Sequence, residues 1–389
     1  MVIFEILIYI LFALILSNLA KKSDCLYPDS QKYDSYLICF ISFFTIIAAI
    51  RWNVGSDSIS YAVLFNKGID SFDWHKEPLW AICVNLLHDI GFHWTIGLGL
   101  AAFLQIFFIT KTLKEYKFIL IMLPFVMFGG RYWMDLMGAV RQMIVACAFV
   151  WFSKYIYEKK LFKYLCFVLI ASLVHKSALI LLPFYFIPNK FQVEQHRIFL
   201  ICILLCCVVI GQTPSFQGLI SIITSTTDLI GYDNYSTVAT ELLNQGNTSE
   251  ALSFGPMMLT YLLIPIFIIW FGPTLKEKYS KRIPYFSLWY NLSYLYACLY
   301  FLVCNVSHLF IRITLYFSLF QMIMASLLLF ELYLNRSRNI KSQLLMIVFS
   351  LVIFTNSAWD ITKAYGKTWE STTYKVYFLN TQQRKYFNL

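Results

Sequence analysis

Long apolar runs separated by short polar connections fill the chain from one end to the other. Runs at about 2–20, 35–50, 94–111, 118–130, 136–156, 196–211, 255–272, 284–304, 308–334 and 342–356 read as membrane helices, a full crossing needing about 20 residues. Two further stretches break the pattern. Between the polar connection 51–76 and Lys111 only one crossing is available, and 94–111 makes it, so 77–90 is expected to lie on, or dip into, the outer face as a short helix. The stretch 161–187 has basic connections on both sides and therefore needs an even number of crossings. It is too short for two full spans, which predicts two half-length helices meeting near His175-Lys176-Ser177. Broken helices at membrane depth occur only where they line a protein-enclosed or watery cavity. The chain is thus expected to be all-α and polytopic, with roughly 10–12 membrane helices including short or re-entrant segments. With no repeat, linker or soluble insert, residues 1–389 read as a single integral membrane domain, with an outward loop at about 213–254 and a C-terminal tail at about 357–389.

Composition agrees. The chain is 59% hydrophobic, 19% aromatic and only 13% charged, more apolar surface than a soluble domain could hide. A net charge of +10 would suggest nucleic acid in a soluble protein. Here the basic residues sit in short connections, where they set membrane orientation, and no nucleic-acid partner is expected. Clusters at Lys21/Lys22/Lys32, Lys111/Lys114/Lys117, Lys154/Lys159/Lys160/Lys163, Lys190/Arg197, Lys276/Lys278/Lys281/Arg282 and Arg336/Arg338/Lys341 are expected on the cytoplasmic side. The 213–254 connection carries Asp228, Asp233, Glu241 and Glu250 with no Lys or Arg, and is expected outside together with the N-terminus. The tail also comes out outside despite Lys363, Lys367, Lys375, Arg384 and Lys385. Either it faces an anionic ligand or lipid headgroups, or the number of crossings is off by one. The first run lacks a basic leader and a small-residue cleavage site, so it reads as a retained span. The ten cysteines fall mostly within apolar runs without metal-ligand spacing and read as small hydrophobes; neither a metal nor another cofactor is expected.

Ionisable residues inside or at the edge of apolar runs are costly to desolvate and point to function. They are Arg51, Asp57, Arg131, Arg141, His175 and Arg312. Arg51 opens the turn-forming segment R-W-N-V-G-S-D-S-I-S-Y, which ends at Tyr61, with Glu77 further on. Gln142 follows Arg141, Lys176 follows His175, and Tyr316 lies one helical turn beyond Arg312. Interfacial capping or snorkelling explains any one of these, Arg131 most readily. As a set they put several guanidinium forks and one imidazole on the outer side. Guanidinium matches phosphate oxygens in a bidentate manner, so a pyrophosphate-linked lipid is the natural ligand. With no paired-aspartate loop and no phosphate-binding glycine loop, a nucleotide-sugar transferase and an ATP-driven machine are disfavoured.

At these residues the chain resembles the EpsG family of bacterial exopolysaccharide and O-antigen polymerases of Wzy type. The matching elements are R-x-x-V-G-S-D-x-x-x-Y at 51–61, E-P-L-W at 77–80, A-V-R-Q at 139–142, A-S-L-V-H-K-S-A at 171–178 and R-I-T-L-Y-F at 312–317. They occur in the family's order. The family more often has Gly-Thr-Asp-Tyr where this chain has Gly55-Ser56-Asp57-Ser58. The resemblance implies polymerisation of undecaprenyl-diphosphate-linked repeat units on the outer leaflet of the bacterial inner membrane, with a chain-length regulator as a candidate partner beside the membrane lipids. In that reaction Arg51, Arg131, Arg141 and Arg312, with Tyr61, Glu77, Gln142, Lys176 and Tyr316, would hold diphosphate and substrate. His175 would be the base, with Asp57 as the alternative. A lipid-linked oligosaccharide flippase and a membrane O-acyltransferase are the competing classes.

Overall fold

The protein is described by a computed structural model covering residues 2–28, 31–69, 77–188, 193–213, 216, 256–305, 308–364 and 371–379. It is an all-α polytopic membrane protein, with fifteen α-helices among these residues. They are α1 (Val2–Leu26), α2 (Ser35–Ala49), α3 (Ser58–Lys67), α4 (Pro78–Asp89), α5 (Trp94–Leu113), α6 (Lys117–Gly129), α7 (Tyr132–Gly138), α8 (Val140–Phe152), α9 (Lys154–Tyr157), α10 (Leu161–Val174), α11 (Arg197–Gly211), α12 (Pro256–Tyr279), α13 (Phe286–Val303), α14 (His308–Asn335) and α15 (Ile340–Ala364). Six of them, α1, α5, α12, α13, α14 and α15, are long and apolar enough to cross a membrane. The bent pair α6–α7 makes a seventh, and four shorter apolar helices accompany them. Helix α14 forms the axis, packed by α6, α8, α12, α13 and α15. Leucines and isoleucines on the outer faces of α1, α10, α11 and α15 stay exposed, as a lipid-facing surface requires.

Contacts sort the connections into two ends. At one end Lys117 donates to Asp34 and to the Tyr27 carbonyl, Lys111 and Lys154 lie over the Trp151 ring, and Lys276 pairs with Glu194. Lys278 pairs with Glu331 there, and Arg282 lies over Phe118. The basic connections of the sequence therefore share one end, as an orientation signal demands. At the other end Tyr9 donates to the Thr372 carbonyl, Tyr374 to the Ile47 carbonyl, and Arg131 pairs with Asp360. Strand β1 (Arg51–Trp52) pairs antiparallel with β2 (Lys375–Val376), so residues 371–379 return to the end that carries Arg51. Most of the expected 213–254 loop lies outside the described residues. Its flanks Gln212 and Met258 touch at the Arg51 end.

Both departures from a simple span pattern are present. Helix α4 is a 12-residue segment seated on α3 and α10. Helix α10 and the 3₁₀ segment Lys176–Phe186 fold back on each other, with Tyr164 donating to the Leu181 carbonyl and Lys159 to the carbonyls of Tyr185 and Ile187. Fourteen α residues and eleven 3₁₀ residues give legs of about 21 and 22 Å, each short of the ~30 Å hydrocarbon layer. The two half-length helices meet at His175 as expected, and the second is 3₁₀, whose longer rise lets eleven residues match fourteen.

Three boundaries also differ. The 118–130 run continues past a 74° bend at Arg131 into α7, whose first turn lies between two of the expected spans. Arg131 takes a left-handed φ of 72°, which ends α6, while the burial of Tyr132, Trp133 and Leu136 makes the polar-looking stretch a helix. The 136–156 run is broken at Ala139. Helix α15 extends to Ala364, eight residues past the expected span, because Asn356 bonds to Thr260 and Asp360 to Arg131 inside the bundle.

Glycine 55 locks the outer loop in place. Its φ is +91°, and a Cβ there would fall on the backbone of Met137 and Gly138. Gly55→Ala combines about 1–2 kcal/mol of left-handed strain with about 1–3 kcal/mol of overpacking. It should lower the apparent melting temperature of the purified protein by several degrees. A variant melting with the wild type would refute this seating of the loop.

Candidate functional site

Five separate elements bring their polar side chains to one place at the Arg51 end of the bundle. A small aromatic core of Trp52, Tyr61, Phe65, Trp80 and Trp94 seats α3 and α4 on α5. This holds Glu77 at the head of α4 in a left-handed conformation, φ 52° and ψ 57°, immediately before Pro78. A non-glycine residue before proline is disfavoured there, and such strain clusters at functional positions. The carboxylate of Glu77 takes Arg141 Nη1 on one oxygen and His175 Nδ1 on the other. The second oxygen also receives the Lys176 backbone N–H at 3.3 Å. Arg141 Nε donates to the Tyr61 hydroxyl at 3.4 Å. Glu77 is thus the hub that joins α8 to the tip of the re-entrant hairpin.

Helix α14 supplies the other half. Arg312 Nη2 lies 2.8 Å from Asp57 Oδ2, and one turn on the Tyr316 hydroxyl meets Ser177 Oγ at 2.7 Å. Gln142, beside Arg141, donates to the Arg312 carbonyl and ties α8 to α14. Asp57 precedes α3, but its side chain makes no capping bond; it serves Arg312 instead. Nine of the eleven candidate residues therefore come together: Asp57, Tyr61, Glu77, Arg141, Gln142, His175, Lys176, Arg312 and Tyr316. Ser177 joins them; its place next to His175 at the hairpin tip was the available signal.

Arg51 and Arg131 stand apart. Arg51 is 1% exposed and donates to the backbone carbonyls of Ala48, Val54 and Met137. Burial pushes its pKa down to about 10, still cationic at neutral pH. It satisfies orphan carbonyls at the end of α2 and ties them to α7. Arg131 pairs with Asp360 at 3.2 Å and donates to the Tyr261 hydroxyl at 3.1 Å, in the wall of a small cavity away from the cluster. Asp360 could not be foreseen as its partner, because W-D-I-T-K read as tail.

The arginines that can meet a ligand are those left open. The Arg141 and Arg312 side chains are 36% and 47% exposed, so donors beyond their single carboxylate partners remain available. Two guanidinium groups, Arg141 and Arg312, each face one carboxylate, Glu77 and Asp57, and keep further donors open to a ligand. Among the described residues no group of three or more His, Cys, Asp or Glu side chains could hold a metal ion.

Burial alone would raise the Glu77 pKa, but the His175 hydrogen bond, the Arg141 charge and the Lys176 N–H together hold it below the ordinary glutamate value. An ionised carboxylate only accepts, so His175 Nδ1 carries the hydrogen. In the neutral ring Nε2 is then left with its lone pair. The depressed pKa has a sign that can be tested. Its contribution to stability is present above the unfolded glutamate value of about 4.3 and is lost as pH falls through the lower folded value. The melting temperature of the wild type, relative to Glu77→Gln, should fall across that acidic window. A constant difference would sink the ion-pair assignment.

No curated protein and no solved structure matches the chain. The match to a family model runs from Asp34, the cap of α2, to Tyr374 beside β2, and encloses every residue of the cluster. Because that model, described as the EpsG family, covers residues 34–374, the chain belongs to the EpsG family.

Proposed function

We propose that this protein, as a single membrane domain in the bacterial inner membrane, joins undecaprenyl-diphosphate-linked oligosaccharide repeat units into a long polysaccharide at the outer face. The observation that carries the reading is the convergence of two accessible guanidinium groups with an imidazole oriented by a carboxylate. In the reaction, a hydroxyl of the incoming lipid-linked repeat attacks the anomeric carbon of the growing glycan. His175 Nε2 takes the hydroxyl proton as the new glycosidic bond forms, and the bond from the anomeric carbon to the lipid diphosphate breaks. Arg141 and Arg312 receive the charge that develops on the departing diphosphate. Glu77 orients His175 and fixes its tautomer, so it acts through the imidazole rather than on phosphate, which a carboxylate would repel. Tyr61 and Gln142 position Arg141 and Arg312, Ser177 and Tyr316 offer hydroxyls to the sugars, and Arg51 holds the loop that presents Asp57.

The test is the purified full chain in nanodiscs with the host's lipid-linked repeat as sole substrate. A ladder of lipid-linked oligomers is expected without nucleotide. Translocation of intact repeat with no new bond would instead make the protein a flippase, and acyl incorporation an O-acyltransferase. In a cysteine-free background, Ser56→Cys and Lys278→Cys should react with an impermeant maleimide from opposite sides. Labelling from one side only would overturn the topology.

A further inference from the structure

A small polar cavity lies on the other flank of α14 from the cluster. It is bounded by Arg131, Asp135, Tyr261, Tyr296, Tyr300 and Gln321, with Ile311 and Leu315 of α14 as its apolar wall. Arg312 and Tyr316 directly follow these two residues in the helix, about 100° further round. One helix thus carries the Glu77–His175 cluster on one side and this cavity on the next.

The lining is unfinished. Gln321, Tyr296 and Tyr300 are at least nine-tenths buried. Gln321 Oε1 accepts from the Tyr132 hydroxyl at 2.9 Å, but among the described residues its Nε2 makes no hydrogen bond, nor do the Tyr296 and Tyr300 hydroxyls. Buried polar groups are ordinarily satisfied, so such groups converging on a void indicate a hydrogen-bonding occupant. The volume of about 60 Å³ admits roughly four water-sized groups. It suits the hydroxyl-bearing edge of one sugar ring, not a lipid chain.

Charge decides the class of ligand. Arg131, the one cation in the cavity wall among the described residues, is already offset by its pair with Asp360 and by Asp135 beside it, so no uncompensated positive charge is left to hold a diphosphate. Carboxylates accept sugar hydroxyls, and the Tyr261 and Tyr300 rings, packed on each other at 5.5 Å, make the adjoining part of the wall. We propose that this cavity is a carbohydrate subsite that holds an uncharged sugar residue of the repeat unit while the arginine cluster across α14 holds the diphosphate. This rests on the polymerase reading above and assigns Arg131 to sugar rather than to phosphate.

The experiment reads binding, not polymerisation. The probe is the repeat-unit oligosaccharide released from the host's lipid-linked pool by mild acid, so that it lacks both lipid and diphosphate. Saturation-transfer NMR with the detergent-purified full chain should detect it, and titration should show about three- to ten-fold weaker binding for Gln321→Leu and for Tyr296→Phe, the amount one neutral hydrogen bond contributes. Inorganic pyrophosphate should not compete. Near-isosteric Tyr296→Phe keeps the result interpretable if Gln321→Leu fails to fold. No binding to the wild type at millimolar concentration means the cavity holds water only and overturns the proposal. Unchanged affinity in both variants, or displacement by pyrophosphate, overturns it equally. Each of these results leaves the ladder assay standing, whereas a missing ladder with intact sugar binding would condemn the polymerase reading instead.

Discussion

His175→Ala should abolish long-chain product while the protein remains at its normal level in the membrane. A positioned general base contributes about 10²–10⁴ in rate, enough to reduce a polymer ladder to the first one or two additions. The hairpin should survive the substitution, because Tyr164 to the Leu181 carbonyl, Lys159 to the carbonyls of Tyr185 and Ile187, and Ser177 to Tyr316 still hold its legs and tip. Glu77→Gln should produce a loss of similar order by a different route. An amide can donate to Nδ1 and so favour the tautomer that removes the lone pair from Nε2. Single-turnover coupling of two lipid-linked repeats measures both variants. Wild-type rates for purified His175→Ala would eliminate the imidazole and leave Asp57 as the base.

The arginines should separate into two classes. Arg141→Ala and Arg312→Ala should each lower the coupling rate by about 10²–10³, the usual consequence of removing one donor from a developing oxyanion, with normal protein levels. Lysine at either position should recover only part of the loss, since a point charge cannot reproduce the planar fork. Arg51→Ala should behave differently. It empties a fully buried position and strands the carbonyls of Ala48, Val54 and Met137, so the protein should disappear from the membrane fraction. A stable, correctly inserted Arg51→Ala with selective loss of diphosphate binding would place Arg51 on the ligand and contradict its structural role.

Much of the helical order was legible in the chain because lipid imposes a strict rule. Each crossing must satisfy its own backbone, so spans appear as apolar runs and connections as polar breaks. Parity and basic clusters suffice to locate the hairpin around His175 and the short helix α4. Asp57, Arg141, His175 and Arg312 stood out for the same reason, as ionisable groups inside or at the edge of apolar runs. Pairing was not legible. Nothing near Glu77 in sequence reveals that its two oxygens reach residues 64 and 98 positions away, nor that Arg51 ends among carbonyls while Arg312 stays open.

The sequence by itself determined the all-α membrane class, the order of most apolar helices, and where ionisable groups interrupt them, because these follow from local hydropathy and desolvation cost. Only the tertiary structure decided which arginines stay open and which one ends among carbonyls, that Glu77 pairs with His175, that α7 bends away from α6, and that residues 375–376 close on 51–52. Those outcomes depend on side chains from distant helices meeting in space, which no local periodicity encodes.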